Sequence, residues 1–182
     1  TTLADYRTRH AQYKTDPALQ ATHAAFPWIV TWDDHEVENN WAGDIPQRTS
    51  VTREKFLEQR AAASKAYYEH MPLRRAALPT GPDMLLYRRI AYGRLAEFNV
   101  LDTRQYRTDQ VCGDGTKPPC GDELDPKATL LGDKQEAWLG DGLARSPATW
   151  NVLAQQVMMA RVDQTGGENE SYSMDQWPGY EM

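Results

Sequence analysis

Hydrophobic and polar positions alternate between helical and strand-like spacing along the chain, which predicts a mixed α/β fold. Apolar or aromatic side chains recur near the start at steps of three and four residues, namely at Leu3, Tyr6, His10 and Tyr13. This spacing predicts a helix over 2–14. Asp16-Pro17 ends that helix, and Pro17 suits the first position of a second helix, predicted over the Ala-rich stretch 18–25.

Two further helices follow from capping signals. One is expected to begin at Ser50 or Thr52 and to stop before Pro72. We expect it to cross a sheet with a packing face at helical spacing, formed by Leu57, Ala61, Ser64, Tyr68 and Met71. The other is predicted to begin at Asp133, which caps it in a capping box with Glu136.

Four segments have the composition of strands. Residues 28–32 are uncharged, β-branched and aromatic, which predicts a strand covered on both faces. Residues 84–91 and 95–101 predict a hairpin with a glycine-containing turn, and residues 149–154 predict another strand. The acidic stretch 163–182, with its glycine pair and proline, is expected to be loop.

Acidic, imidazole and amide side chains crowd together directly after the strand predicted at 28–32. They are Asp33, Asp34, His35, Glu36, Glu38, Asn39 and Asn40. Carboxylates this close require a cation to offset their repulsion, and oxygen ligands with one imidazole suit calcium, magnesium, manganese or iron. Open α/β sheets bind ligands at the carboxyl ends of strands. The alternative is a solvated turn whose aspartate caps the next element.

A second polar group follows the strand predicted at 95–101. Arg104 is a candidate for binding phosphate, because its planar guanidinium group donates paired, charge-assisted hydrogen bonds. The alternative is an ion pair of Arg104 with Asp102 or with the acidic cluster. Asp102 is expected to be a structural acid rather than a primary ligand.

Composition limits the classes of function. The 182 residues fit one domain or part of a larger one, and the net charge of −6 argues against general nucleic-acid binding. No apolar run approaches the ~20 residues that span a bilayer. Cys112 and Cys120 share the Gly/Pro-rich loop 108–132, which predicts a disulfide and an oxidising compartment. The alternative is two reduced cysteines in a cytosolic protein.

Residues 31–40, read as Thr-Trp-Asp-Asp-His-Glu-Val-x-Asn-Asn, resemble the signature of the PhoD-type alkaline phosphatases, a branch of the metallophosphatases. Later segments resemble the same family in the same order: Leu-Asp-Thr-Arg-x-Tyr-Arg at 101–107, Leu-Gly-x-x-Gln-x-x-Trp-Leu at 131–139, Trp-x-Val-x-x-Gln-Gln-Val at 150–157 and Asp-Gln-Trp-x-Gly-Tyr at 175–180. The conjunction is much more specific than any one motif.

The resemblance implies an incomplete four-layer α/β/β/α metallophosphatase sandwich. Residues 1–182 would be the central part of the catalytic domain, with segments missing at both ends. It implies metal-dependent hydrolysis of phosphate mono- and diesters, with calcium and iron as the metal ions, in a secreted or cell-envelope protein without a membrane span.

The resemblance also assigns residue roles. Asp34 would be a metal ligand, with Asp33 in its place if the alignment shifts by one position. His35 would contact the phosphate or donate a proton, and Arg104 would contact the phosphate. Asn39 and Asn40 are further candidates at the metal site, where they would orient the loop.

The family's other metal-binding segments are expected before Thr1 and after Met182. The alternative function is therefore a catalytically inactive fragment or a cation-binding α/β domain.

Overall fold

The helices and strands of the chain form a mixed α/β architecture, as the sequence predicts. The computed structural model describes residues 1–181. The helices are α1 (Leu3–Lys14), α2 (Pro17–Ala25), α3 (Arg53–His70) and α4 (Asp133–Arg145), and the strands are β1 (Arg88–Tyr92), β2 (Ala96–Val100), β3 (Thr116–Lys117), β4 (Trp150–Ala154) and β5 (Tyr172–Ser173). Within 1–181, no helix is both long enough and apolar enough to cross a membrane.

The first three helices begin where the sequence predicts, each at a capped residue. Thr2 closes a reciprocal capping box with Asp5 at the start of α1. Asp16 accepts a hydrogen bond from a backbone N–H of α2, and Pro17 occupies the first turn of that helix. Thr52 caps α3 in the same way. These boundaries were predictable because each cap satisfies local backbone donors.

The main sheet has three strands in the order β1-β2-β4. β1 and β2 form the predicted antiparallel hairpin, in which Ile90 lies opposite Phe98. β2 and β4 are parallel, with Phe98 opposite Val152. A parallel pair requires a long connection, and α4 lies within it. β3 and β5 form a separate two-stranded antiparallel sheet.

The strand predicted at 28–32 is wrong, because these residues have no strand partner among the described residues. Side chains satisfy part of their backbone instead. Arg88 donates to the carbonyl of Val30 at 2.7 Å, and Gln156 donates to the carbonyl of Trp32. The prediction captured the burial of Val30 and Trp32, but side-chain donors take the place of a neighbouring strand.

The packing face predicted for α3 is wrong by about one position, and only Ser64 of the predicted set is buried. The observed face consists of Phe56, Arg60, Ala63, Ser64, Ala66 and Tyr67. α3 packs against α1 and the aromatic core rather than across the sheet. Arg60 belongs to the buried face because its guanidinium group donates to the carbonyls of Gly43 and Pro82 and pairs with Asp83.

The capping box predicted for α4 is also wrong. The N-cap is Gly132, which makes no side-chain cap, and Glu136 accepts a hydrogen bond from the Thr129 hydroxyl. Gly132 has a φ of +71°, and a Cβ there would lie 2.9 Å from the carbonyl oxygen of Tyr106. Close approach of two backbone segments, which spacing along the sequence does not reveal, therefore fixes the start of the helix.

Two buried tryptophans hold the polar turn that follows residue 32. The rings of Trp32 and Trp41 are perpendicular, with centroids 5.5 Å apart. Tyr67 packs against Trp32 and Phe56 against Trp41. Burial of such aromatic rings contributes a large share of core stability. The turn 33–40 is thus anchored at both ends in the core.

The predicted disulfide between Cys112 and Cys120 is confirmed. Their Cα atoms are 5.8 Å apart, and eight positions separate them in the sequence. The bridge closes the loop that carries Asp114, whose carboxylate accepts hydrogen bonds from Asn40 and Gln47. The disulfide loop is therefore tied to the polar turn.

Replacing both Cys112 and Cys120 by serine is expected to lower the free energy of unfolding by about 2–3 kcal/mol, because the open loop gains entropy in the unfolded chain. Urea denaturation of the oxidised protein and the double variant measures the difference. Dithiothreitol should destabilise only the oxidised protein. A difference below about 0.5 kcal/mol would show that the bridge does not constrain the unfolded chain.

Candidate functional site

The turn 33–40 folds around the side chain and carbonyl of Asp34. The Asp34 carboxylate accepts a hydrogen bond from the backbone N–H of Asn40 at 2.9 Å. Its carbonyl accepts from the N–H of Val37 and from the indole of Trp41. Asn40 has a φ of 51°, a left-handed conformation that asparagine tolerates better than most residues. These contacts fix Asp34 through its carbonyl and Oδ2, and they leave Oδ1 without a hydrogen bond from the described residues.

Arg104 joins this turn to the end of β2 and to the tail of the chain. Its side chain is 1% exposed. Nε donates to Asp33 Oδ1 at 2.7 Å, and the two terminal nitrogens donate to the two carboxylate oxygens of Asp175 at 2.9 and 2.5 Å. One terminal nitrogen lies 4.0 Å from Asp34 Oδ1. The ion-pair alternative for Arg104, with the acidic cluster as its partner, is therefore the observed arrangement.

Asp175 is the centre of this buried network. It also accepts hydrogen bonds from Arg107 at 2.8 Å and from Gln110 at 2.7 Å. Burial alone would raise the pKa of Asp175, but the bonds from Arg104, Arg107 and Gln110 outweigh it and lower the pKa. Burial alone would lower the pKa of Arg104, but Asp175, Asp33 and Asp34 outweigh it and raise the pKa. Both groups are held in their charged forms.

In contrast to Asp175, two acids of the turn have a raised pKa because burial is the larger effect. Burial raises the pKa of Asp33, and the charge of Arg104 only partly opposes this increase. Burial also raises the pKa of Glu36, whose carboxylate accepts a hydrogen bond from the N–H of Asp33 at 2.8 Å. A cation placed beside Asp33 would favour its ionised form. Glu36 therefore stabilises the backbone of the turn.

His35 is the most accessible chemical group of the turn, with a side chain that is 78% exposed. Its Nε2 lies 3.0 Å from Asn39 Oδ1 and 3.6 Å from Asp34 Oδ2. Asn39 thus orients the imidazole ring, while Asn40 binds Asp114 through its side chain at 2.5 Å and Gln110 through its carbonyl at 3.0 Å. Asn40 thus ties the turn to the disulfide loop and Asn39 holds the His35 ring, while a role of either residue at a metal site stays a prediction.

The donor set fits part of a cation site. Asp34 Oδ1 makes no hydrogen bond within residues 1–181, and Asp33 uses only one oxygen for Arg104. Carboxylate oxygens of this kind suit hard cations such as calcium. Yet no three histidine, cysteine or carboxylate ligand atoms of the turn converge within 4.8 Å in the described chain. The turn by itself thus does not hold a complete set of metal ligands.

One triad of possible ligand atoms does converge elsewhere in the described chain, but it does not form a metal site. It consists of Cys112, Cys120 and Glu123. The two sulfurs are joined in the disulfide, so neither is available as the thiolate that binds metal ions. Glu123 instead accepts hydrogen bonds from the backbone of Cys120 and Gly121.

The structure brings together the two polar groups that the sequence singled out. Asp33 and Arg104 are 71 positions apart in the sequence and are joined by a hydrogen bond. Asp102 is fully buried and accepts a hydrogen bond from the Trp32 indole, which confirms its structural role. Sequence reasoning missed Asp175, because residues 163–182 were expected to be loop. The available signal was the pair Arg104 and Arg107 after a buried strand, since two buried cations require a counter-charge.

Comparisons with known proteins agree over almost the whole chain. The family model of the PhoD-like phosphatases matches residues 1–182. Alkaline phosphatase D of Bacillus subtilis (strain 168) is 59% identical over 179 residues, which cover 98% of this chain and 30% of that protein. A solved structure of PhoD matches with a TM-score of 0.94 and 58% identity, over 99% of this chain and 34% of that one. The chain thus spans about a third of the length of these relatives.

Proposed function

Because the chain belongs to the PhoD-like phosphatase family, we propose that the protein containing it is a metal-dependent phosphoester hydrolase, an alkaline phosphatase of the PhoD type. Residues 1–182 form the central part of its catalytic domain, which has the four-layer α/β/β/α arrangement of metallophosphatases. The observation that carries the proposal is Asp34. Its Oδ2 lies 3.6 Å from the exposed imidazole of His35 and accepts the N–H of Asn40, while its Oδ1 accepts no hydrogen bond from the described residues.

Asp34 and Asp33 are the proposed metal ligands of this chain. Each offers a carboxylate oxygen that accepts no hydrogen bond from the described residues. Asn39 and Asn40 support them by fixing the turn, and the metal ions are calcium and iron. A bound cation supplies Lewis-acid chemistry and offsets the negative charge of the phosphoryl oxygens.

His35 is the proposed catalytic residue of the turn. Its ring is exposed, and its contact with Asn39 holds it beside Asp34. From this position it contacts a phosphoryl oxygen or donates a proton to the leaving oxygen. Arg104 holds Asp33 in place through its Nε. Direct contact of Arg104 with phosphate stays a prediction, and it requires Asp33 or Asp175 to release a guanidinium nitrogen.

The substrates that we propose are phosphate mono- and diesters. Binding of a specific nucleic acid is not expected, because the net charge of the chain is −6. The protein acts outside the cytosol, as a secreted or cell-envelope enzyme. The disulfide between Cys112 and Cys120 supports that location, because such bridges persist in oxidising compartments.

Replacing Asp34 by asparagine is expected to weaken the binding of calcium and iron at least tenfold, because the site loses a formal charge at a ligand position. Stability without metal should change little, since the asparagine Oδ1 still accepts the N–H of Asn40. Isothermal titration calorimetry measures the affinity, and Asp141→Asn on the exposed face of α4 is the matched control. Equal affinity in wild type and Asp34→Asn would remove Asp34 from the site.

Hydrolysis of 4-nitrophenyl phosphate and bis(4-nitrophenyl) phosphate tests the function itself. The protein containing this chain is assayed with calcium and iron, beside its Asp34→Asn and His35→Gln variants. We expect each variant to lose about 100-fold or more in kcat/KM, in line with the loss of a positioned acid or a charged ligand. Equal rates in all three proteins would contradict the proposed roles.

The second candidate function is that of a cation-binding or catalytically inactive α/β domain. The observation that favours it is the incomplete coordination sphere of the turn within residues 1–181. Metal binding that depends on Asp34, without hydrolysis of either ester by the longer protein, would support this candidate.

A further inference from the structure

A cleft of about 330 Å³ runs from the polar turn along helices α1 and α2. His35 and Glu36 are among the residues that line it, so the cleft adjoins the candidate site. The groups on which the argument depends are Arg9, His10, Lys14, His23, Trp28 and His35. None of the roles proposed above for the turn uses this cleft.

Planar rings form much of the wall. The His23 ring stacks on the Trp28 indole, with centroids 4.1 Å apart and planes within 7°. The His10 ring stacks on His70 at 5.0 Å. These stacks hold the rings in fixed orientations, and planar aromatic ligands pack favourably against such rings. Most of the cleft surface is apolar, which favours an organic group over water.

The charges that line the cleft are mainly positive. In the part of the chain that the structure describes, neither Arg9 nor Lys14 has a carboxylate within 4 Å. Arg9 donates to Gln12, and the Lys14 ammonium lies 2.9 Å from His23 Nε2. Burial lowers the pKa of Lys14, as expected for an ammonium group without an anionic partner.

The other charged group in the cleft does not neutralise these cations. Glu36 accepts the N–H of Asp33, and in the described chain it forms no ion pair within 4 Å with Arg9 or Lys14. Burial, with the nearby charges of His70 and Lys14, lowers the pKa of His10. The cleft is thus a basic surface on a chain whose net charge is −6, and it complements an anion.

We propose that this cleft binds the organic arm of the phosphoester and selects an aromatic arm that carries a negative charge. The inference rests on the proposed function, which places the phosphoryl group beside Asp34 and His35. An arm that leaves that position along the cleft contacts the histidine rings that line it. Its anionic end then pairs with Lys14 and Arg9.

The four histidines of the chain allow a direct test by NMR, because His10, His23 and His35 all line the cleft. Imidazole signals of the 182-residue chain are recorded during titration with naphthalene-2-sulfonate, an aromatic anion without a phosphoryl group. We expect the signals of His10 and His23 to shift and to saturate. Neutral 2-naphthol and inorganic phosphate should each bind at least tenfold more weakly.

Two variants locate the binding. Lys14→Met should weaken naphthalene-2-sulfonate about tenfold, which corresponds to the loss of one charge-assisted hydrogen bond. Lys134→Met, on the exposed side of α4, is the matched control and should leave the affinity unchanged. Trp28→Leu should also weaken binding. If Trp28→Leu loosens α2, the result for Lys14→Met alone decides the test. No saturable shift, or equal affinity in Lys14→Met and wild type, would overturn the inference.

Failure of this inference is distinguishable from failure of the proposed function. If the longer protein hydrolyses phosphate esters but naphthalene-2-sulfonate does not bind in the cleft, the proposed function is supported and the proposed role of the cleft is contradicted. Binding at the cleft, with no hydrolysis, would leave an aromatic-anion site and remove the phosphatase role. Equal affinity for naphthalene-2-sulfonate and 2-naphthol would remove the selection for charge.

Discussion

Replacing Asp175 by alanine is expected to lower the free energy of unfolding by about 3–5 kcal/mol, the range for breaking a buried ion pair by removing one partner. Arg104 and Arg107 lie against this carboxylate with side chains that are 1% and 0% exposed. Without it, Arg107 has no carboxylate partner among the described residues, and Arg104 keeps only Asp33 at 2.7 Å and Asp34 at 4.0 Å. Urea denaturation at neutral pH measures the loss. Asp175→Asn keeps the shape but not the charge, and we expect it to lose nearly as much.

The control for Asp175 is Asp141→Ala. Asp141 pairs with Arg145 on the exposed surface of α4, where such pairs contribute little, so the change should stay within about 0.5 kcal/mol. A similar small change in Asp175→Ala would show that water enters the network and solvates both arginines.

The effect of Asp175 depends on pH with a definite sign. Its pKa is lowered in the folded protein, so the stability it contributes is fully present above its unfolded value of about 3.9. That stability is lost as the pH falls through the lowered folded value. The difference in stability between wild type and Asp175→Ala should therefore be constant near neutral pH and should shrink in acid.

Replacing Asp102 by alanine is expected to lower the free energy of unfolding by about 4 kcal/mol. Its buried carboxylate accepts hydrogen bonds from the Trp32 indole at 3.1 Å and from the N–H groups of Arg104 and Gln105 at 3.0 Å. The amide of Gln105 makes a fourth bond. Each buried donor left without a partner costs about 1–3 kcal/mol.

The matched variant is Asp102→Asn, whose Oδ1 still accepts the three bonds from Trp32, Arg104 and Gln105. It loses only the bond from the Gln105 amide, so we expect a loss of about 1–2 kcal/mol. Thermal or urea unfolding separates the two variants. Equal losses would mean that the charge of Asp102, rather than its hydrogen bonds, stabilises this region.

Local chemistry explains which parts of the fold were predictable. Thr2, Asp16 and Thr52 mark helix starts because each satisfies backbone donors within three residues. The hairpin of β1 and β2 and the bridge between Cys112 and Cys120 are local in the same sense. Such signals lie within a short stretch of sequence, so one sequence suffices to detect them.

The features that sequence reasoning missed all depend on partners far away in the chain. Residues 28–32 have the composition of a strand, but Arg88 and Gln156 occupy carbonyls that a strand would use. Arg60 is polar, yet carbonyls of Gly43 and Pro82 allow its burial. Hydrophobic periodicity cannot detect either compensation, because both come from tertiary contacts.

The candidate site was predicted in its chemistry but not in its connections. The acidic cluster at Asp33 and Asp34 and the guanidinium group of Arg104 were singled out as two groups at strand ends, and they meet in space. The sequence did not decide whether Asp102 or the acidic cluster would be the ion-pair partner of Arg104. The answer includes Asp175, which lies in the family-like segment 175–180 but was given no role from the sequence.

Arg104 lies 71 positions after Asp33 and 71 positions before Asp175, and it binds both. During synthesis the helices near the start of the chain can form as soon as they leave the ribosome, but the guanidinium group then lacks its principal counter-ion. Burial of Arg104 becomes favourable only when Asp175 has emerged. The turn that carries Asp34 and His35 is therefore completed only after residue 175 has emerged, and a nascent chain halted before that residue would carry the helices without an assembled site.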